Sequence, residues 1–353
     1  DELEPSATPD EYIVYTSAGS GAFDNGTLIK GTSCKMSLQP GVVYNFRIAA
    51  VNKGGESFPS ETVSALYHPG ATHSMMIVNG FHRVGAPAVR QTATEQGFDF
   101  DIDPGVGYGP TAGWSGTQRC FDKQKIGIEG PGGLGYSGQE WQGSFIAGNN
   151  FNYVYTHAEA MKNLLHFNVA SCSSEAVEKG DIDLQKYHVV DMLLGLEKDD
   201  GNALLPYKTF SHRMQERLTR YAHSGGALMV SGAYVGSDMR HAADSAFVAD
   251  ILKLKAAGAT RIYADSVVTG LGTDMVFHRT LNEEHYAATA TDILRPIEPA
   301  FSAMVYASGN SAAVAYHGRD YRAFTMGFPF ECINSYRKRA AIMKGIVNFL
   351  CPQ

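Results

Sequence analysis

The chain has 353 residues, 44% apolar and 18% charged, which suggests two or three domains at roughly 100–200 residues each. No apolar run approaches the ~20 residues needed to span a bilayer. The formal charge of −7, without any Lys/Arg-rich run, lacks the basic footprint that nucleic acid or an anionic membrane surface requires.

In chain order, Asp1–Pro5 shows neither the basic start nor the apolar stretch of a signal peptide. Tyr12–Thr16 reads as a strand, and Asp24-Asn25-Gly26 as a turn whose residues tolerate positive φ. Leu38-Gln39-Pro40-Gly41-Val42-Val43-Tyr44 leads into a second strand. There Tyr44, Phe46, Ile48 and Ala50 alternate with Asn45, Arg47 and Ala49, as in a half-buried strand, with Tyr44, Phe46 and Ile48 expected to be partly uncovered. Gly54-Gly55-Glu56-Ser57 and Pro59-Ser60-Glu61 close the segment. These motifs, in this order, resemble the late strands of the fibronectin type III family, in which Tyr44 would tie the corner between two strands. The resemblance implies a β-sandwich module over 1–67. Nothing before Tyr12 can supply the family's first two strands, so the expectation is a partial module within a longer protein, acting as a spacer, with direct sugar or protein binding as the other reading.

His68-Pro69-Gly70 reads as a linker, and the remainder, 72–353, as an α/β domain. Met75–Val78 is a continuous apolar run, the pattern of a strand buried on both faces, and Tyr187–Gly195 and Ala227–Ser231 read as a second and a third buried strand. His157–Leu165, Ser211–His223, Phe247–Leu254 and Arg337–Phe349 read as helices. In the second of these, Met214, Leu218 and Tyr221 share one face and Ser224-Gly225-Gly226 is the stop. Shorter β-like runs fall at 261–263, 303–306, 312–316 and 323–326. The stretch 97–150 is rich in glycine and lacks periodicity, so it reads as an insertion. Alternating strands and helices predict a parallel sheet with helices on both faces.

Gly232-Ala233-Tyr234-Val235-Gly236 after a buried strand resembles the G-x-C-x-G nucleophile elbow of the class I glutamine amidotransferases, a flavodoxin-like fold. Gly327-Phe328-Pro329-Phe330-Glu331 stands where that family carries F-H-P-E. Tyr234 replaces the cysteine and Pro329 the histidine; only Glu331 matches. Without thiolate and base there is no acyl-enzyme route, so the resemblance implies the fold without glutamine hydrolysis.

Residues 23–28, 78–84, 194–201 and 231–238 further resemble the C-terminal region of large secreted Bacteroidetes proteins labelled xanthan lyase or N-acetylmuramoyl-L-alanine amidase. That resemblance implies a secreted, periplasmic or cell-surface location. It also implies upstream domains of the same protein as partners, and glycan or peptidoglycan as ligand.

In open parallel sheets, ligands sit beyond the strand C-termini. That rule gathers Asn79, His82 and Arg83 from the first strand end. The second gives Glu197, Lys198, Asp199 and Asp200, and the third Ser231, Tyr234, Ser237 and Asp238. With Glu331 they form the candidate cleft, with Tyr234, Glu331, Glu197 and Asp200 as candidate catalytic groups. Solvated rim and helix-cap roles are the alternative.

Asp99, Asp101 and Asp103 place three carboxylates on one side of an extended chain, a weak calcium candidate; the EF-hand spacing fails because its twelfth position falls on Pro110. Gly130-Pro131-Gly132-Gly133-Leu134-Gly135 satisfies a dinucleotide-binding pattern only literally, since no helix starts after it. The five cysteines show no pairing or metal spacing and read as reduced thiols. No cofactor is expected. The sequence therefore suggests an accessory binding or scaffolding region of a polysaccharide- or cell-wall-active protein. The alternative is a hydrolase or lyase, either a polysaccharide lyase or a peptidoglycan amidase, working from a cleft around Tyr234.

Overall fold

This computed structural model describes residues 8–57, 59–81, 88–99, 113–114, 120–122, 124, 145–146, 153–198, 208–261, 266–279, 285–288 and 290–352. The chain opens with β1 (Glu11–Ala18), β2 (Thr27–Ile29), β3 (Val43–Asn52), β4 (Gly55–Glu56) and β5 (Val63–Leu66), then β6 (His73–Asn79). Short strands follow: β7 (Ala88–Gln91), β8 (Glu95–Asp99), β9 (Gly113–Trp114), β10 (Cys120–Asp122) and β11 (Phe145–Ile146). Next come α1 (Tyr153–Met161), β12 (Phe167–Ser173), α2 (Ser174–Lys179), β13 (Val189–Gly195), α3 (His212–His223), β14 (Ala227–Gly232) and α4 (Ala242–Asp250). The chain ends with β15 (Leu254–Ala259), β16 (Val267–Gly270), β17 (Thr273–Val276), β18 (Asp292–Pro296), β19 (Phe301–Tyr306), β20 (Ser311–His317), β21 (Arg322–Met326) and α5 (Tyr336–Leu350).

Among the described residues, fourteen strands join one sheet in the order β17-β16-β19-β20-β21-β14-β13-β6-β12-β5-β3-β1-β2, with β4 beside β3. This corrects the fold class: the sheet is mixed, not a parallel sheet with helices on both faces. Only β12, β6, β13, β14 and β21 run parallel to their neighbours in that group; β20 joins β21 antiparallel, and β5 joins β12 antiparallel. Apolar runs reveal buried strands, but they do not say what pairs with the outer edges of such a group. Here the edge of β12 is taken by the N-terminal strands. Ser171 Oγ donates to Ser64 O (2.9 Å), Ser64 N donates back to Ser171 Oγ (2.6 Å), and His68 N donates to Asn168 Oδ1 (2.7 Å). Residues 11–66 thus extend the sheet and cover an edge that would otherwise present unpaired backbone.

The alternation of β6 feeds two cores. Met75 and Ile77 pack with Val154 and Ala158 of α1 and Ile342 and Ile346 of α5; Met76 and Val78 pack with Val177 of α2, Met214 and Leu218 of α3 and Phe247 of α4. Each such fully buried side chain contributes on the order of 1.5–3 kcal/mol. Helix α3 starts where the sequence predicts: Ser211 Oγ accepts from Met214 N (3.1 Å). It stops at Gly225, whose φ is +94°, and at Gly226, where a Cβ would lie 2.3 Å from the Tyr221 ring.

β3 alternates as in a half-buried strand, and the face carrying Tyr44, Phe46 and Ile48 is the less covered one. Val43, Asn45 and Ala49 are buried, while Tyr44 and Phe46 are half-buried and Ile48 is 42% exposed. The inward face contributes Val43 to the core that holds α1, where apolar bulk is already supplied. The polar Asn45 is satisfied there, donating to Gly19 O (2.9 Å) and accepting from Ser64 Oγ (2.7 Å).

Candidate functional site

Three segments far apart in sequence converge in the first core. His157 lies on α1, Asp191 in the middle of β13, and Glu331 in a single 3-10 turn, Phe330–Cys332, beyond the C-terminal end of β21. His157 Nδ1 meets Asp191 Oδ2 at 2.6 Å, and His157 Nε2 meets Glu331 Oε2 at 3.3 Å. Tyr286 OH donates to Glu331 Oε1 at 2.6 Å. The His157 and Asp191 side chains are wholly buried and that of Glu331 is nearly so. Burial works to lower the His157 pKa, but the charge and hydrogen bond of Asp191, followed by those of Glu331, carry it up to about 9. At neutral pH the ring is an imidazolium donating to a carboxylate on each side. Phe330 packs on it edge-on, with centroids 4.8 Å apart.

Glu331 also lines a pocket of about 370 Å³, within the range of small-ligand sites. The helical period explains its walls. On α1, Tyr153 and Thr156 are three residues apart and line the pocket, while His157 turns into the core. On α5, Tyr336 and Arg339 line it by the same spacing. His278 and His285 stack within it, ring centroids 3.5 Å apart and planes 18° apart. Burial, then His285, then Arg339 lower the His278 pKa to about 4, so this imidazole is neutral at pH 7. Arg339 is anchored by donation to Ile333 O. The turn Gly19–Gly21 after β1 also lines it. The site thus combines a carboxylate with a fixed rotamer, neutral imidazole and a guanidinium with tyrosine rings.

Of the predicted cleft, the described residues bring Lys198 to Tyr234, and join Glu197 and Asp238 through Thr209. Asn79 is buried, donating from Nδ2 to Glu61 and accepting from Phe81 N (3.1 Å). Glu197 is buried, and its carbonyl accepts from Thr209 Oγ1 (2.9 Å). Asp238 Oδ2 accepts from Thr209 N and Oγ1 (2.8 and 3.1 Å). Ser231 lies inside β14, fully buried. Tyr234 is half-buried against the first core, with Lys198 Nζ 4.5 Å from its ring centroid, and does not line the pocket that holds Glu331. His82, Arg83, Asp199 and Asp200 lie outside the described residues, as do Asp101 and Asp103; Asp99 ends β8. Among the described residues, no group of three or more His, Cys, Asp or Glu is arranged to hold a metal. No described helix is long and apolar enough to cross a membrane.

The segment read as an elbow is a run of turns. Tyr234 does not adopt positive φ, whereas an elbow presents its nucleophile on a strained strand-to-helix turn; α4 starts only at Ala242. Ser237 and Asp238 do not cap that helix, whose N-cap position is His241. The turn is held instead by Asp292 Oδ2, which accepts from Gly236 N (2.7 Å) and Ser237 N (2.8 Å). Burial pushes the Asp292 pKa up against these bonds. Glu331, expected to have no base to orient, meets His157, contributed by α1 rather than by its own loop. Sequence reasoning also missed Asp191. Its signal is a lone carboxylate inside the apolar run Val189-Val190-Asp191-Met192-Leu193, where burial demands a cationic partner.

No protein-family model and no curated protein matches the chain. Among solved structures it is similar to the exo-beta-1,4-mannosidase Op5Man5 from Opitutaceae bacterium strain TAV5, at 9% identity and a TM-score of 0.40. That likeness covers 58% of this chain and 33% of the mannosidase, so the chain spans about a third of that protein's length. It is similar to cytoplasmic protein STM1381 from Salmonella typhimurium LT2 at 11% identity and TM-score 0.38, over 79% of this chain and 96% of that one. It is also similar to the mmIFT52 N-terminal domain at 13% identity and TM-score 0.37, over 56% of this chain and 90% of that one. At these scores the likenesses assign neither family nor activity.

Proposed function

We propose that this chain is a non-catalytic binding region of a polysaccharide- or cell-wall-active protein, and that it holds a sugar unit of a glycan in the pocket at Glu331. The observation that carries this reading is the make-up of that pocket. Sugars present hydroxyls that donate and accept, on rings with apolar faces. The pocket offers Glu331 as a rigid acceptor, Arg339 and Asn334 as donors, and Tyr155 and Tyr336 as aromatic surface. Because Tyr286 and His157 fix both carboxylate oxygens, little rotamer entropy remains to be lost on binding.

The surrounding groups are poorly suited to nucleophilic chemistry. Burial, then Glu331, push the Cys332 thiol well above its ordinary range, and burial raises the Tyr153 and Tyr286 phenols as well. His157 at neutral pH has no lone pair with which to take a proton. Glutamine hydrolysis is accordingly not expected. The test is calorimetric titration with cellotetraose, chitotetraose and a muramyl peptide, comparing the wild type with Tyr336→Ala, a change at a rim residue 65% exposed. Binding to at least one probe, weakened about tenfold or more in the variant, supports the reading; no binding at millimolar ligand refutes it.

A hydrolase or lyase is the second reading, favoured by one observation: the neutral imidazole of His278 shares the pocket with Glu331, a base and a carboxylate in one site. Release of reducing ends or unsaturated products from these glycans, lost in His278→Gln, would replace the binding reading.

A further inference from the structure

The turn after β1 is built more firmly than a spacer module requires. Gly19 adopts φ +60° and its N–H donates to Val43 O (2.8 Å). Its carbonyl accepts from Asn45 Nδ2 (2.9 Å), and the carbonyl of Gly21 accepts from Ser17 Oγ (2.6 Å). Ser17, Asn45 and Ser64 are all buried, at 3%, 1% and 2% exposure, and Ser64 Oγ donates to Asn45 Oδ1 (2.7 Å). Three buried polar side chains are thus committed, directly or in relay, to one exposed turn of three residues. Such a network costs stability unless every member is satisfied, and when satisfied it specifies a single geometry. The geometry it fixes borders the pocket: Gly19, Ser20 and Gly21 line it together with Glu331 and Arg339. A Cβ on Gly19 would meet nothing within 4 Å, so this position borders open space.

We infer that the turn Gly19–Gly21 is a ligand-contacting wall of the pocket, with Ser20 as its contact residue, so that the N-terminal strands form part of the binding site. This rests on the saccharide reading of that pocket and adds the second wall of the site. The glycines keep the wall low, and Ser20 offers one hydroxyl to a ligand that Glu331 and Tyr336 also contact.

The experiment is calorimetric titration of the full chain with the probe among cellotetraose, chitotetraose and muramyl peptide that the wild type binds most tightly. Ser20→Trp places a large ring on an exposed residue and should weaken binding at least tenfold with an unchanged Tm. Ser20→Ala should weaken it about two- to threefold. Ser20→Trp binding like the wild type while Tyr336→Ala loses affinity would overturn the wall and leave the saccharide site standing. Absence of binding by the wild type would overturn both.

Discussion

The buried imidazolium makes stability fall as pH rises through neutrality. The group's folded pKa is about 9 against an ordinary 6.5, so between these values the folded state holds a proton that the unfolded state has released. Its contribution is full below about pH 6.5 and lost as pH climbs through 9. Linkage makes the loss between pH 7 and pH 8.5 on the order of 2 kcal/mol. Unfolded cysteines begin to ionise at about pH 8.5 and add to this slope, and the paired variant series subtracts their share. Urea denaturation midpoints at pH 7, 7.5, 8 and 8.5 measure it, and the same series on His157→Gln removes the titrating group. The wild type should lose about 2 kcal/mol more than the variant over this range. Where the variant is too unstable for the comparison, NMR titration of the wild type reads the same group, and the His157 ring should remain protonated at pH 8. Stability that is flat or rising from pH 7 to 8.5, or a His157 that titrates near 6.5, would refute the ion chain.

Other expectations follow from the same geometry. Asp191→Asn removes the nearer anion from a fully buried cation and should cost about 3–5 kcal/mol, read as a drop in urea midpoint; it should also lower the pH at which His157 titrates. On the acid side, burial lowers the pKa values of His166 and His188, and lowers that of His278 to about 4. Their contribution is therefore full above about pH 6.5 and lost as pH falls below it, so the urea midpoint should drop between pH 7 and 5, less steeply in His278→Gln. Gly195 adopts φ +49° with the Phe81 ring 2.3 Å from any added Cβ, so Gly195→Ala should destabilise by about 2–3 kcal/mol on denaturant titration. Cys34 is exposed while Cys172 and Cys332 are buried, and burial pushes the Cys172 thiol up to about 12. A thiol reagent should accordingly modify Cys34 in the native chain and reach Cys172 and Cys332 only on unfolding.

What the sequence revealed was local. Met75–Val78, Tyr187–Gly195 and Ala227–Ser231 read as buried strands because predominantly apolar runs of that length, closed by polar or glycine residues, fit strands covered on both faces. α3 was legible from Ser211, its apolar stripe and its glycine stop. β19, β20 and β21 fell close to the short runs read at 303–306, 312–316 and 323–326. The joining of these pieces was not legible. Nothing in Val63–Leu66 announces that it will pair with β12, and a period of two in β3 gives two faces without saying which meets α1. Helix ends drifted for a similar reason: α4 stops at Asp250 because Leu254 enters β15, a tertiary pairing with β18.

The candidate site was legible only at Glu331, which the resemblance singled out without pointing to His157 or Asp191. His157 and Asp191 are 34 residues apart, and His157 and Glu331 are 174 apart; such separations leave no spacing to read. The strand-end rule instead selected Asn79, Glu197 and Asp238, each of which the fold uses to satisfy neighbouring backbone or side-chain groups.

The central claim is that the pocket beside Glu331 binds a sugar unit. Calorimetric titration of the wild-type chain against Tyr336→Ala, with cellotetraose, chitotetraose and a muramyl peptide, addresses it most directly. Saturable binding of at least one probe is expected, weakened about tenfold or more by the substitution, without cleavage of the probe. Titrations without binding at millimolar ligand, or binding unchanged in Tyr336→Ala, would contradict it.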